Sequence, residues 1–330
     1  MEKKCGKDID SNQLKQSLDK KESCLQNELL CKNLSKNHHD CFICGSTKYK
    51  FIAKIYGYNY VQCLDCSLIY INNPPTKTEI EGVYSSPSYD NMTNQLYANP
   101  LIYPYRLENI AKPKVKFIES IVKRRGKWFD ICCGTGEILY VARELGWEVK
   151  GVETNAKAVK FSKEKYELDV EESLITKSNA SKYLSDSTVV SLFGVLEHLF
   201  EPANLISLIS NASQTGSYLV IEVPHYPSIS CFSQIVFPQS VNRIMSPPLH
   251  LMIFTLESLE RLLNDNGYKI MNVWYFGQDI YELITTLRLE NPQIKGSKLE
   301  TKLFDYINKF QRIVDESYHS DEILVVAIKE

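Results

Sequence analysis

The sequence predicts an α/β fold: a Rossmann-like sheet with helices on both faces, preceded by a small zinc-ribbon-like module. Three observations predict it. Strand-like and helix-like segments alternate from Gly126 onward, the signature of a parallel sheet with covering helices. A turn of small residues joins the first of those strands to the first helix. Two Cys-x-x-Cys pairs, Cys41/Cys44 and Cys63/Cys66, are eighteen residues apart, which is a zinc-site pattern.

Composition sets the bounds. The 330 residues are 44% hydrophobic and 24% charged, enough to bury a sizeable core. The formal net charge is −2, from 38 basic and 40 acidic residues, which gives no electrostatic footprint for nucleic acid or an anionic membrane. No run approaches the roughly 18 apolar residues of a membrane span, and the first forty residues carry no apolar signal core. A cytoplasmic protein is expected, and spacing then guides the reading of the ten cysteines.

Along the chain the expected divisions are a polar lead over 1–40, disordered or helical, a zinc-binding module over 41–75, a connector over 76–125 that turns helical at 107–123, and the α/β domain over 126–330. Strands are expected at 49–55, 60–62, 127–133, 147–153, 188–193, 217–223, 269–276 and 322–328. Helices are expected at 137–145, 156–166, 202–212, 256–266, 281–289 and 298–314. The segment 226–248 reads as a long aromatic, proline-containing loop, a candidate lid over an acceptor.

Each Cys-x-x-Cys knuckle presents two thiolates, and two knuckles complete a tetrahedron around Zn²⁺. Four protein ligands leave no open position, so such a metal is structural. Gly45 follows the first knuckle and Ser67 the second. The other six cysteines show no ligand spacing.

The turn at 128–137 reads Trp-Phe-Asp-Ile-Cys-Cys-Gly-Thr-Gly-Glu. Small residues let a ligand approach the backbone, and the helix start points N–H groups at it. Glu153 ends the second strand, where a carboxylate can accept from ribose hydroxyls. A dinucleotide fingerprint needs a third glycine for close helix packing, and Leu139 occupies that position. The turn instead resembles motif I of class I S-adenosylmethionine-dependent methyltransferases: Asp130, Gly134 and Gly136 match it, and Cys132 replaces the first glycine.

The resemblance continues in order. Val-Leu-Glu-His at 195–198 with Glu201-Pro202, Ile-Glu-Val-Pro-His at 221–225, Pro-Pro-Leu-His-Leu at 247–251 and Phe-Thr-Leu-Glu-Ser-Leu at 254–259 resemble later segments of the same families. It implies a seven-stranded sheet, with Asp130, Cys132, Gly134 and Gly136 at the amino-acid end of S-adenosyl-L-methionine. Glu153 would hold the ribose, Thr154 would lie near the adenine, and Phe193 near the cofactor's middle. The cysteine module resembles zinc domains that precede some methyltransferases of nucleotide-linked sugars and surface polysaccharides. The resemblance therefore implies a small, carbohydrate-derived acceptor and His250 as the residue that takes its proton; His225, at the carboxyl end of a strand where ligands bind in open α/β sheets, is the second candidate. Two other readings remain open: methylation of RNA or protein gripped by the zinc module, and a non-catalytic binding protein that retains the fold.

Overall fold

The computed structural model describes residues 38–84, 99, 102–240 and 243–330; most of the expected polar lead lies outside them. A seven-stranded sheet is built from β4 (Lys127–Ile131), β5 (Glu148–Glu153), β6 (Val170–Glu172), β7 (Ser187–Phe193), β8 (Tyr218–Pro224), β10 (Tyr268–Phe276) and β11 (Glu322–Lys329). Its order is β10-β11-β8-β7-β4-β5-β6, with β11 antiparallel to both neighbours and the β8-to-β6 side parallel. The first parallel strand, β4, is central, so the order reverses beside it. In open α/β sheets ligands bind beyond the strands' carboxyl ends at such a switch point.

The run of buried residues in β7 fits a strand covered on both faces. Trp128, Val189, Val220 and Leu324 pack with the helices Lys112–Ile121 and Glu137–Glu144. Phe129, Val190, Leu219 and Val325 face the other way, toward the helices Pro202–Ala212 and Leu256–Asn264. Burying each such large apolar side chain contributes roughly 1.5–3 kcal/mol. Caps set the helix boundaries: Asn155 accepts from the Lys157 and Ala158 amides, and Thr255 and Ser258 form a capping box.

A second, four-stranded antiparallel sheet has the order β1-β2-β3-β9. β1 (Tyr49–Ile55), β2 (Tyr58–Cys63) and β3 (Ile69–Ile71) belong to the cysteine-rich segment. Its fourth strand, β9 (Met252–Ile253), comes from nearly two hundred residues later in the chain and pairs Ile69 with Ile253. The thiol-bearing residues Cys41, Cys63 and Cys66 share one hydrophobic cluster with the seven-stranded sheet.

Some elements differ from expectation for physical reasons. The helix expected at 107–123 starts at Tyr103–Arg106 and passes through a π turn, Leu107–Ala111, before Lys112–Ile121. Pro113 lacks the N–H that would bond one turn back, and the widened turn precedes it. The helix expected at 298–314 is broken at Tyr306 into Lys298–Asp305 and Ile307–Glu316. The loop at 226–248 holds a helix, Ile229–Val236, capped by Ser228. Among the described residues no helix is long and apolar enough to cross a membrane.

Candidate functional site

The turn after β4 has the backbone its small residues predict. Cys132, Gly134 and Gly136 all adopt positive φ, at 57°, 54° and 79°. Cys132 stands in left-handed geometry that glycine adopts freely, at a cost of roughly 1–2 kcal/mol. A Cβ at Gly134 would meet nothing within 4 Å, so this side of the turn is open to a ligand. At Gly136 it would meet Leu168 Cδ1 at 2.5 Å, so that glycine serves packing. The missing third glycine is offset from across the interface. Gly151 on β5 admits Leu139, whose Cδ1 lies 2.8 Å from where a Cβ would stand.

Glu153 faces this turn. Its Oε2 accepts from the Gly134 amide at 2.9 Å, and its Oε1 accepts from the amides of Thr154 at 2.7 Å and Asn155 at 2.8 Å. A carboxylate has about four lone-pair positions, so acceptor capacity remains on Oε2. Thr154 is exposed beside it. Asp130 is 2% exposed and lies inside the sheet, where its Oδ1 accepts from Ser191 Oγ at 2.5 Å. Burial pushes its carboxyl up to about 8.

The helix from Tyr103 covers the turn, a feature the sequence reading missed. Tyr103 Oη donates to the Thr135 carbonyl at 3.2 Å, and Arg106 Nε pairs with Glu137 at 2.5 Å. Thr135 Oγ1 is buried in the turn without a hydrogen-bond partner. An open glycine face, a pinned carboxylate and an unsatisfied hydroxyl fit a nucleoside cofactor carrying polar groups.

Phe193, at the end of β7, is half-buried, and Lys114 Nζ lies 5.9 Å from its ring centroid and 5.3 Å from that of Phe276. Lys114 also pairs with Glu222 at 2.6 Å. Beside them Arg243 pairs with Asp321 at 2.6 Å and Glu322 at 2.7 Å. Burial opposes its charge, but the surrounding carboxylates outweigh that and hold the guanidinium protonated. None of these pairs is legible in sequence, because the partners lie 78 to 108 positions apart.

The predicted histidines occupy different places. His225 is buried at the end of β8, with Nδ1 2.9 Å from the Ser320 carbonyl and its ring against Tyr275. Burial pushes it down to about 4. His250 lies just before β9, with Nδ1 2.7 Å from the Ile244 carbonyl and its ring 4.9 Å from that of His198. Burial, with His198 beside it, pushes His250 down to about 3. A carbonyl oxygen only accepts, so in both rings Nδ1 carries the hydrogen and Nε2 keeps its lone pair.

The four cysteines of the two pairs converge. Cys41 and Cys66 Sγ are 3.4 Å apart, Cys44 and Cys63 Sγ are 3.5 Å apart, and all four sulfurs lie within 4.8 Å of one another. A tetrahedron with Zn–S bonds of about 2.3 Å has edges of roughly 3.8 Å, so the donor set fits zinc. The knuckles are built alike despite their different sequences. Gly45 and Ser67 both adopt left-handed φ, 67° and 63°, and each amide returns to the first cysteine carbonyl of its pair. The module is anchored to the sheet's helices: Ser67 Oγ donates to Glu257, and Arg261 to the Asp65 carbonyl.

The profile of a protein family described as a methyltransferase domain matches residues 103–273. The chain belongs to this family. The matched span begins at the helix that covers the glycine turn after β4 and ends in β10. This enzyme is thus an S-adenosylmethionine-dependent methyltransferase with the sheet order described above. Similar solved structures include a SAM-dependent methyltransferase from Archaeoglobus fulgidus, 22% identical, over 69% of this chain and 100% of that one, with a TM-score of 0.45. Magnesium protoporphyrin IX methyltransferase from Synechocystis PCC 6803, with SAH bound, is 11% identical over 77% and 100%, with a TM-score of 0.49. A methyltransferase from Geobacter sulfurreducens in complex with S-adenosyl-L-homocysteine is 14% identical over 74% and 99%, with a TM-score of 0.42. No curated protein sequence matches the methyltransferase.

Proposed function

We propose that this methyltransferase moves the methyl group of S-adenosylmethionine to a small, carbohydrate-derived acceptor in the cytoplasm. The observation that carries the cofactor half is Glu153 held against the open face of the Gly134 turn by three backbone amides. In this reading Glu153 takes the ribose hydroxyls, Thr154 lies by the adenine and Phe193 by the cofactor's middle. Asp130, Cys132, Gly134 and Gly136 shape the amino-acid end. Cys41, Cys44, Cys63 and Cys66 hold a structural zinc ion, for which their converging sulfurs speak. Module, connector and catalytic domain divide at 41–75, 76–125 and 126–330.

Methyl transfer is an in-line displacement, and positioning supplies much of its rate. A hydroxyl or carbon acceptor must also lose a proton. His250 first, and His225 second, are proposed to govern that proton, supported by an Nε2 left open in each ring. The acceptor reading rests on the module's resemblance to sugar-modifying relatives. Support also comes from the hydrogen-bonding groups at the strand ends, where Glu222, Glu322, Lys114 and Arg243 gather.

The test is a labelling assay: methyl-labelled S-adenosylmethionine, purified enzyme, and a desalted lysate or its small-molecule filtrate. Label is expected in the metabolite fraction. Label confined to RNA or protein overturns the acceptor class.

A further inference from the structure

Outside the four-cysteine cluster, the described residues bring one other group of metal-type ligands together. One carboxylate oxygen of Glu197 and one ring nitrogen each of His198 and His250 lie within 4.8 Å of one another. His198 Nε2 is 3.8 Å from Glu197 Oε1. Both imidazoles spend Nδ1 on backbone carbonyls, His198 on Leu249 O at 2.9 Å and His250 on Ile244 O at 2.7 Å. Nδ1–H donation to a carbonyl is how protein scaffolds orient metal-binding histidines, and it leaves Nε2 as the ligand atom. Glu197 is 3% exposed, and its Oε2 has no hydrogen-bond partner. A ring nitrogen of each histidine and a buried carboxylate oxygen thus converge, an arrangement a cation would stabilise.

We propose that Glu197, His198 and His250 form a second metal site, which takes a divalent cation of the zinc or cobalt type and leaves coordination positions open for the acceptor. Two imidazoles and one carboxylate suit first-row transition ions better than magnesium or calcium. Three ligands leave the ion open, unlike the closed four-thiol cluster. The surroundings fix all three ligands. Tyr84 Oη lies 2.9 Å from His198 Nδ1, the Leu251 amide donates to the Glu197 carbonyl, and Tyr60 donates to the His250 carbonyl.

The inference rests on methyl transfer to an acceptor at these strand ends, and it makes His250 govern the acceptor proton through the ion. An acceptor hydroxyl on the cation loses its proton to water more readily. Its oxygen then bonds to the methyl carbon as the sulfonium C–S bond breaks, and S-adenosylhomocysteine leaves neutral.

The experiment counts ions in the full chain by elemental mass spectrometry after loading with Co²⁺, with S-adenosylmethionine binding followed by calorimetry in parallel. Two ions per chain are expected. One should give the intense charge-transfer absorption of a tetrathiolate, and the other only the weak bands of nitrogen and oxygen ligands. Glu197→Gln and His250→Ala should each weaken the second ion by roughly tenfold or more while the thiolate band and cofactor affinity persist. One ion per chain, with cofactor binding intact, overturns the metal site and leaves the methyl-transfer reading standing. Two ions in a chain that binds no S-adenosylmethionine supports the site and removes its proposed catalytic setting.

Discussion

The cysteine module and the carboxyl edge of the large sheet both gather chemically active side chains, but they do so by opposite means. In the module, two short knuckles bring each pair of thiols together locally, and a single hairpin brings the pairs together. At the sheet edge, Lys114, Phe193, Glu222, Arg243 and Glu322 arrive from five separate segments. A locally built site survives as a sequence pattern, whereas an edge site exists only once the strands are in order. The two regions also depend on each other. β9 belongs to the module's sheet yet starts two residues after His250, and the chain bridges onward through Phe254 to His225.

That dependence gives the largest expected effect. If the four thiols hold the proposed zinc, Cys63→Ser should release it and cost several kcal/mol, because binding energy at a structural metal is folding energy. Thermal unfolding with zinc quantification checks this. Methyl transfer should fall further than cofactor affinity, since β9 and the His250 segment lose their partner strand. A variant that keeps wild-type turnover would separate the two regions and break the comparison.

A middle-sized effect is expected from Glu153→Gln, which touches the sheet edge alone. The amide can neither offer two acceptor oxygens to the backbone nor bind ribose as an anion. Loss of charge-assisted hydrogen bonds worth about 1.5–3 kcal/mol raises the calorimetric Kd for S-adenosylmethionine by roughly 10- to 100-fold. Bound zinc should not change. Unchanged cofactor affinity would remove Glu153 from the proposed site.

The smallest effect lies on edge strand β6. Glu171 is drawn down to about 2 by the hydrogen bond from Lys150, then by that from Tyr183. A depressed carboxylate stabilises the fold above its unfolded value of about 4.5, and that contribution disappears as pH falls toward 2. Because the pair is partly solvated, Glu171→Gln should cost less than about 1 kcal/mol at pH 7. Denaturation midpoints of the two proteins should converge at low pH, and a gap that widens on acidification contradicts the assignment.

Much of the fold was legible because its signals are local. The buried runs of β7, β8 and β11, the cap at Asn155 and the glycine after Leu256–Asn264 depend on neighbours within a few residues. β9 was not legible, since two residues carry no periodicity and pair only with a strand from the far side of the chain. The same holds for Tyr103 over the glycine turn and for Lys114 beneath Glu222. In the sequence His198 is only the last residue of the Val-Leu-Glu-His segment after a strand. Its meeting with His250 needed the 249–254 segment threaded between the two sheets.

The sequence by itself determined the layered α/β class, the four-thiol spacing and the glycine turn facing an acidic strand end. Each is a short-range pattern whose geometry the backbone enforces. Tertiary structure alone decided that Gly151 rather than a third turn glycine admits Leu139, and that the module borrows its last strand from the catalytic domain. It also decided that Glu197, His198 and His250 converge. Those outcomes follow from packing between segments far apart in the chain, where no local periodicity records the partner.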